Sequence, residues 1–172
     1  MRKLLTFFLF LAFFHACSSL YVDQQQTPKV VAIPEDYQPK IGGKKVRNQL
    51  QIAAEKLIGS KYKYGGTTPK GFDCSGFTGY VYEKAQIDIS RSSTTQAKKG
   101  IQIKVKDARK GDLIFFTGTG RNKISHVAMV LSNDSKGIVV IHSTTSKGVR
   151  KDNITHSDYW NPKILFARQI VD

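Results

Sequence analysis

Gly71-Phe72-Asp73-Cys74-Ser75-Gly76-Phe77 sets a cysteine between a turn and the start of a helix. Upstream, Tyr64-Gly65-Gly66-Thr67-Thr68-Pro69-Lys70-Gly71 is turn-forming throughout. Downstream, a helix is expected from Asp73 or Cys74 to about Ala85, with Asp73 as its N-cap. A thiol at a helix N-terminus meets the positive end of the helix dipole and unpaired N–H groups, and both favour a thiolate. The glycines around it admit close backbone approach by a ligand.

Working outward, Val46, Leu50, Ala53, Ala54, Leu57 and Ile58 recur at helical spacing, and Gly59 ends that helix. A third, short helix is expected over 93–99. After Lys110-Gly111-Asp112 the pattern changes to apolar runs rich in β-branched and aromatic residues, over 113–116, 126–131, 138–142 and 164–170. Asn133-Asp134-Ser135-Lys136-Gly137 reads as a hairpin turn. Helices first and antiparallel strands second make an α+β layout, with N-terminal helices packed on an antiparallel β-sheet.

A nucleophilic cysteine needs a base and a group that orients the base. The domain offers His126, His142 and His156. His126 begins one apolar run and His142 ends the next. If the two strands pair through the 133–137 turn, both imidazoles reach neighbouring edges of the sheet. One can then contact Cys74 while the other holds its ring. Spacing also permits a structural thiol with polar strand ends. A zinc site of Cys74, His126 and His142 lacks a fourth ligand and a metal-binding helix motif, so no metal or cofactor is expected. His156, in Thr155-His156-Ser157-Asp158, reads as a solvated loop residue.

Length and composition bound the rest. The chain has 172 residues, enough for one domain with a real core. Its 40% hydrophobic share excludes a fully disordered chain, and two cysteines exclude a disulfide-stapled mini-fold. Twenty-seven Lys and Arg against 13 Asp and Glu give +14, which points to an anionic partner. No long basic block or helix-turn-helix signal accompanies that charge, so nucleic acid is not expected.

Residues 1–16 begin Met-Arg-Lys and continue as a short apolar run, the pattern of a secretory signal. The run is too short to span a bilayer comfortably, which takes about 20 residues. Ala16-Cys17 at its end resembles the lipobox of bacterial lipoproteins, although Phe14 and His15 depart from the usual residues. That resemblance implies lipidation of Cys17. Acyl chains then anchor the protein at ~0.8 kcal/mol per buried CH₂. Ser18 after the cysteine fits sorting to the outer membrane. Loss of Arg2 and Lys3 with the signal lowers the charge by two, to +12. Residues 17–46 include Gln24-Gln25-Gln26, Pro28, Pro34, Pro39 and Gly42-Gly43. They read as a flexible linker of about 30 Å root-mean-square span, with the folded domain occupying 47–172.

Six blocks then occur in order. They are Tyr62-Lys63-Tyr64-Gly65-Gly66, Gly71-Phe72-Asp73-Cys74-Ser75-Gly76, residues 91–96, Gly111-Asp112-Leu113-Ile114-Phe115-Phe116, Ser125-His126-Val127 and Ile141-His142-Ser143. Together they resemble the NlpC-type papain-like peptidases of bacterial cell walls, most closely the lipid-anchored murein endopeptidases of Gram-negative bacteria. The resemblance covers about residues 47–170 and implies a papain-like cysteine peptidase core. It implies Cys74 as nucleophile, His126 as general base and His142 as the residue orienting it. Tyr62 matches a tyrosine near the oxyanion site. Asp73 and Ser75 match residues that contact the free amine of the stem peptide, and Arg91 falls in the substrate-binding set. Tyr64, Ser90 and Ala128 depart from the usual Trp, Pro and Gly.

The expected activity is cleavage of amide bonds in peptidoglycan stem peptides or cross-links, at a γ-D-glutamyl–diamino acid or a D,D bond. An amidase of related type and a non-catalytic murein-binding lipoprotein are the alternatives. The expected partners are peptidoglycan and, through the N-terminal lipid, a membrane. The expected setting is a monomer on the periplasmic side of the bacterial cell envelope, anchored to the outer membrane.

Overall fold

The computed structural model describes Val31–Ala32, residues 43–118 and residues 123–172. The signal sequence, Cys17 and most of the expected linker lie outside the described residues. The first described helix, α1 (Gly43–Glu55), starts inside the segment read as linker. Its opening Gly-Lys-Lys turn carries no apolar residue, so periodicity detects the helix one turn late. Val31–Ala32 (β1) also falls in that segment and pairs in parallel with Ile87–Asp88 (β4).

Between these come the Thr67–Thr68 and Gly71–Phe72 ribbon (β2, β3), α2 (Cys74–Glu83) and, after β4, the short α3 (Ser93–Gln96). The remaining strands are β5 (Ile101–Ile103), β6 (Leu113–Thr117), β7 (Ile124–Asp134), β8 (Gly137–Thr144), β9 (Gly148–Asn153) and β10 (Ile164–Gln169). They form one six-stranded sheet in the order β5-β10-β6-β7-β8-β9, with every neighbouring pair antiparallel. The β7–β8 hairpin closes at Asp134 opposite Gly137, whose φ of +101° suits glycine.

The helices cover one face of the sheet. Leu50 and Ala54 of α1 and Phe77, Val81 and Tyr82 of α2 pack with Leu113, Phe115, Val127, Met129 and Ile141. Each large side chain buried this way contributes roughly 1.5–3 kcal/mol. A second, smaller core lies on the other face, where Ile114, Phe116, Ala128, Val130 and Val140 meet Ile154, Ala108 and Trp160.

One buried polar group ties α1 to this scaffold. Arg47 stands at i−3 from Leu50 and i−7 from Ala54, on the apolar stripe. Its guanidinium contacts Asp112 Oδ1 at 2.8 Å and the backbone carbonyls of Lys110, Val171 and Asp172. Asp112 also accepts from the Arg109 N–H at 2.7 Å. Burial pushes the Asp112 carboxyl up, against the pull of the Arg109 N–H and Arg47.

Candidate active site

The turn before α2 is built by close backbone contact. Phe72 N–H donates to Lys61 O and Asp73 N–H to Gly66 O, each at 3.0 Å. A Cβ on Gly76 would lie 2.0 Å from Gly66 O, so the helix start cannot seat against this turn with a larger residue. Ser143 on β8 donates its hydroxyl to Phe72 O at 2.8 Å and locks the turn to the sheet. Asp73 is the N-cap, its Oδ1 accepting from Gly76 N–H at 2.6 Å. Cys74 therefore becomes the first residue of α2.

Cys74, Tyr62 and His126 line one cleft of about 590 Å³, together with Ser143, Thr144, Asp152, Tyr159 and Trp160. Burial pushes the Cys74 thiol up; the N–H groups of Val127, Ser75 and Cys74 itself oppose that shift. The Val127 N–H is available because the sheet opens here. Val130 N–H bonds to Asp112 O on the β6 side, so alternation turns the Val127 N–H toward β8. The β7–β8 pairing runs from Asp134–Gly137 only as far as Met129–Ile141. Past that point β8 leaves the donor to the cysteine.

His126 Nε2 lies 2.9 Å from His142 Nδ1. The other nitrogen, Nδ1, is the one left for the cleft. Trp160 stacks on the His126 ring, centroids 4.8 Å apart and planes 25° apart, and Phe116 packs at 5.7 Å. Burial, with the adjacent His142, lowers His126 to about 3. Among the described residues no hydrogen bond joins the Cys74 sulfur to His126. A raised thiol beside a lowered imidazole favours the uncharged resting pair over thiolate–imidazolium.

His142 is fully buried, and its Nε2 lies 2.9 Å from Asp152 Oδ2. In the β8–β9 register Arg150 opposes His142, which places Asp152, two residues on, on the same face. Arg150 Nη2 meets Asp152 Oδ1 at 2.5 Å. Asp152 also accepts a hydrogen bond from Trp160. The sequence reading missed Asp152, Trp160, Arg150 and the Val127 N–H. Only Trp160 carried a signal, as a lone tryptophan in a polar loop.

Asp73, Ser75 and Arg91 form one cluster on the opposite flank of Cys74. Arg91 grips Asp73 with two nitrogens, at 2.5 and 3.1 Å, and donates to Ser75 Oγ at 3.0 Å. Burial would raise the Asp73 carboxyl, but Arg91 and the Gly76 N–H hold it below its ordinary value. Ser75 and Arg91 line a second cleft of about 540 Å³ with Tyr80, Glu83 and Asp88. Gln96, buried, donates to Ser75 O and Ser90 O and accepts from Thr78, so α3 fixes the loop that carries Arg91. Ser90 has φ +75°, which proline cannot adopt, so its departure from the family's proline matches the backbone observed.

Tyr62 bridges to Phe72 beside the thiol, and burial, then Cys74, raises its hydroxyl. The phenol therefore keeps its proton as a donor at neutral pH. His156 is exposed and belongs to a different, shallow pocket with Thr155 and Asp158. Among the described residues no three metal-ligating side chains converge.

The NlpC/P60 family profile matches residues 59–169. A γ-DL-glutamyl hydrolase of Bacillus subtilis is 40% identical over 120 residues, 68% of this chain and 28% of that protein. The probable endopeptidase NlpC of Escherichia coli is 37% identical over 114 residues, 65% of this chain and 70% of that protein. This chain thus spans less than a third of the first relative's length. Among solved structures, the NlpC/p60 domain of the peptidoglycan hydrolase SagA superposes with a TM-score of 0.61 at 32% identity, covering 72% of this chain and 97% of that domain. The matched segment holds the Cys74 turn, both histidine strands and nearly the whole sheet, and its α+β fold is that of the papain-like relatives. The chain belongs to the NlpC/P60 family.

Proposed function

We propose that the chain is a cysteine peptidase that hydrolyses amide bonds in peptidoglycan stem peptides or their cross-links. The observation that carries this is a thiol at a helix N-terminus in one cleft with an imidazole whose far nitrogen is held by a second, buried imidazole. Cys74 attacks the amide carbon as His126 Nδ1 takes its proton. The Cys74 backbone N–H and the Tyr62 hydroxyl receive the developing oxyanion. His126 then protonates the leaving amine, and water releases the acyl group from sulfur. The raised thiol and lowered imidazole favour a proton transfer that accompanies attack.

Asp73 and Ser75 serve the substrate's free amine, and Arg91, which lines the second cleft with Ser75, holds both side chains in place. The name of the B. subtilis relative favours a γ-D-glutamyl bond over a D,D cross-link. Lipid on Cys17 would hold the domain at the periplasmic side of the outer membrane, where its positive charge meets anionic wall and headgroups.

Muropeptide mass spectrometry after digestion tests the reading. The wild type should release fragments cut at one peptide bond, and Cys74→Ala should release none. Unchanged digests with both proteins would overturn it. A cut between N-acetylmuramic acid and L-Ala would make it an amidase. Fractionation of cells carrying Cys17→Ser checks the anchor, which predicts loss from the membrane fraction.

A further inference from the structure

The chain of hydrogen bonds does not stop at His142. Asp152 closes it, and a carboxylate can only accept. The proton between them therefore sits on His142 Nε2 (2.9 Å from Asp152 Oδ2). A neutral His142 then presents a lone pair at Nδ1. Across the 2.9 Å contact His126 Nε2 must be the donor. That leaves the His126 lone pair on Nδ1, the ring atom available to the thiol.

We propose that Asp152 is a positioning residue: through His142 it fixes the tautomer of His126, so that the basic nitrogen faces Cys74. The inference rests on the catalytic reading of Cys74 and His126. Asp152 is itself held by two donors. Arg150 Nη2 binds Oδ1 at 2.5 Å, and Trp160, stacked on His126, donates to the same carboxylate. Together with His142 these donors keep the carboxyl ionised, against the burial that would raise it.

Arg150 makes the test sharp. A guanidinium only donates, so an asparagine at 152 must turn its Oδ1 to Arg150 and its NH₂ to His142. His142 Nε2 must then accept, its proton moves to Nδ1, and His126 is forced to carry its own proton on Nδ1. The base now points away from the thiol, the same kind of fault that a wrong tautomer causes in serine triads. Alanine at 152 leaves a small gap, and solvent can still accept from His142 Nε2–H. The near-isosteric substitution should therefore be the more harmful one, the reverse of what a packing role predicts.

The experiment combines muropeptide kinetics with ¹⁵N NMR of the histidine rings on the same proteins. In the wild type both His126 and His142 should show Nε2–H. Asp152→Asn should lower kcat about 30-fold or more, leave KM within about twofold, and convert both rings to Nδ1–H. Asp152→Ala should lose less than Asp152→Asn. Nδ1–H on wild-type His142, wild-type kcat in Asp152→Asn, or a larger loss in Asp152→Ala would each overturn the proposal. If Asp152→Asn fails to fold, the wild-type tautomers and Asp152→Ala decide. If the wild type cleaves nothing, the catalytic reading falls, while the ring tautomers still support or overturn the relay.

Discussion

Of the Arg–Asp pairs among the described residues, Arg47–Asp112 and Arg91–Asp73 make the sharpest contrast, because they do different work. Arg47–Asp112 is sealed, its side chains 7% and 0% exposed. Arg91–Asp73 sits at the mouth of a cleft, with Arg91 47% exposed. The sealed guanidinium also bonds three backbone carbonyls and joins α1 to the start of β6 and to residues 171 and 172. The open one bonds only side chains, those of Asp73 and Ser75. A buried pair is held by the cost of breaking it, because either partner alone is an uncompensated charge. A pair at the surface is screened and contributes little to stability, so its geometry is free to serve a ligand.

The largest expected effect comes from breaking the sealed pair. Arg47→Met strands Asp112 and three carbonyls and should cost about 3–5 kcal/mol. Urea unfolding should show a lower midpoint with an unchanged slope, whereas a loss below about 1 kcal/mol would remove the distinction between the pairs. Next comes the open pair. Arg91→Ala should change the unfolding free energy measured in urea by under about 1 kcal/mol. It should raise KM for muropeptides about tenfold, equivalent to about 1.4 kcal/mol, with kcat nearly kept.

The smallest effect is in acid. The Asp73 carboxyl is lowered on folding, so its contribution to stability is full above its unfolded value of about 3.9 and fades as pH falls through the lower folded value. The stability gap between wild type and Asp73→Asn should therefore be constant above about pH 5 and shrink below about pH 4. A gap that widens on acidification would reverse the sign assigned to Asp73.

Much of the helix–strand order was legible because each signal is local. Asp73 announces its cap and Asn133 to Gly137 marks the hairpin, whereas α1 ends at Glu55, four residues before Gly59, whose φ of +87° belongs to the turn that follows. Cys74, His126 and His142 were visible as chemistry-bearing residues at element boundaries. The far end of the relay was not. Asp152 lies in Gly-Val-Arg-Lys-Asp-Asn, a strand with too few apolar residues to alternate. It becomes a strand because β8 offers it an edge, and register, not pattern, brings it to His142. Arg47 did carry a signal, since it shares the stripe of Leu50 and Ala54, but a charged residue on an apolar stripe is easily assigned to the polar face. The β1–β4 contact joins residues 56 positions apart, beyond any local window.

The parting of β7 from β8 past Met129–Ile141 has a practical consequence. The Val127 N–H that it frees belongs to the main chain, so no ordinary side-chain exchange deletes it. Alanine scanning would report position 127 as a packing residue, since Val127 fills the helix-side core. The contribution of that donor would stay silent in every such survey. An amide-to-ester replacement at 127, which removes the hydrogen and keeps the isopropyl group, would make it audible.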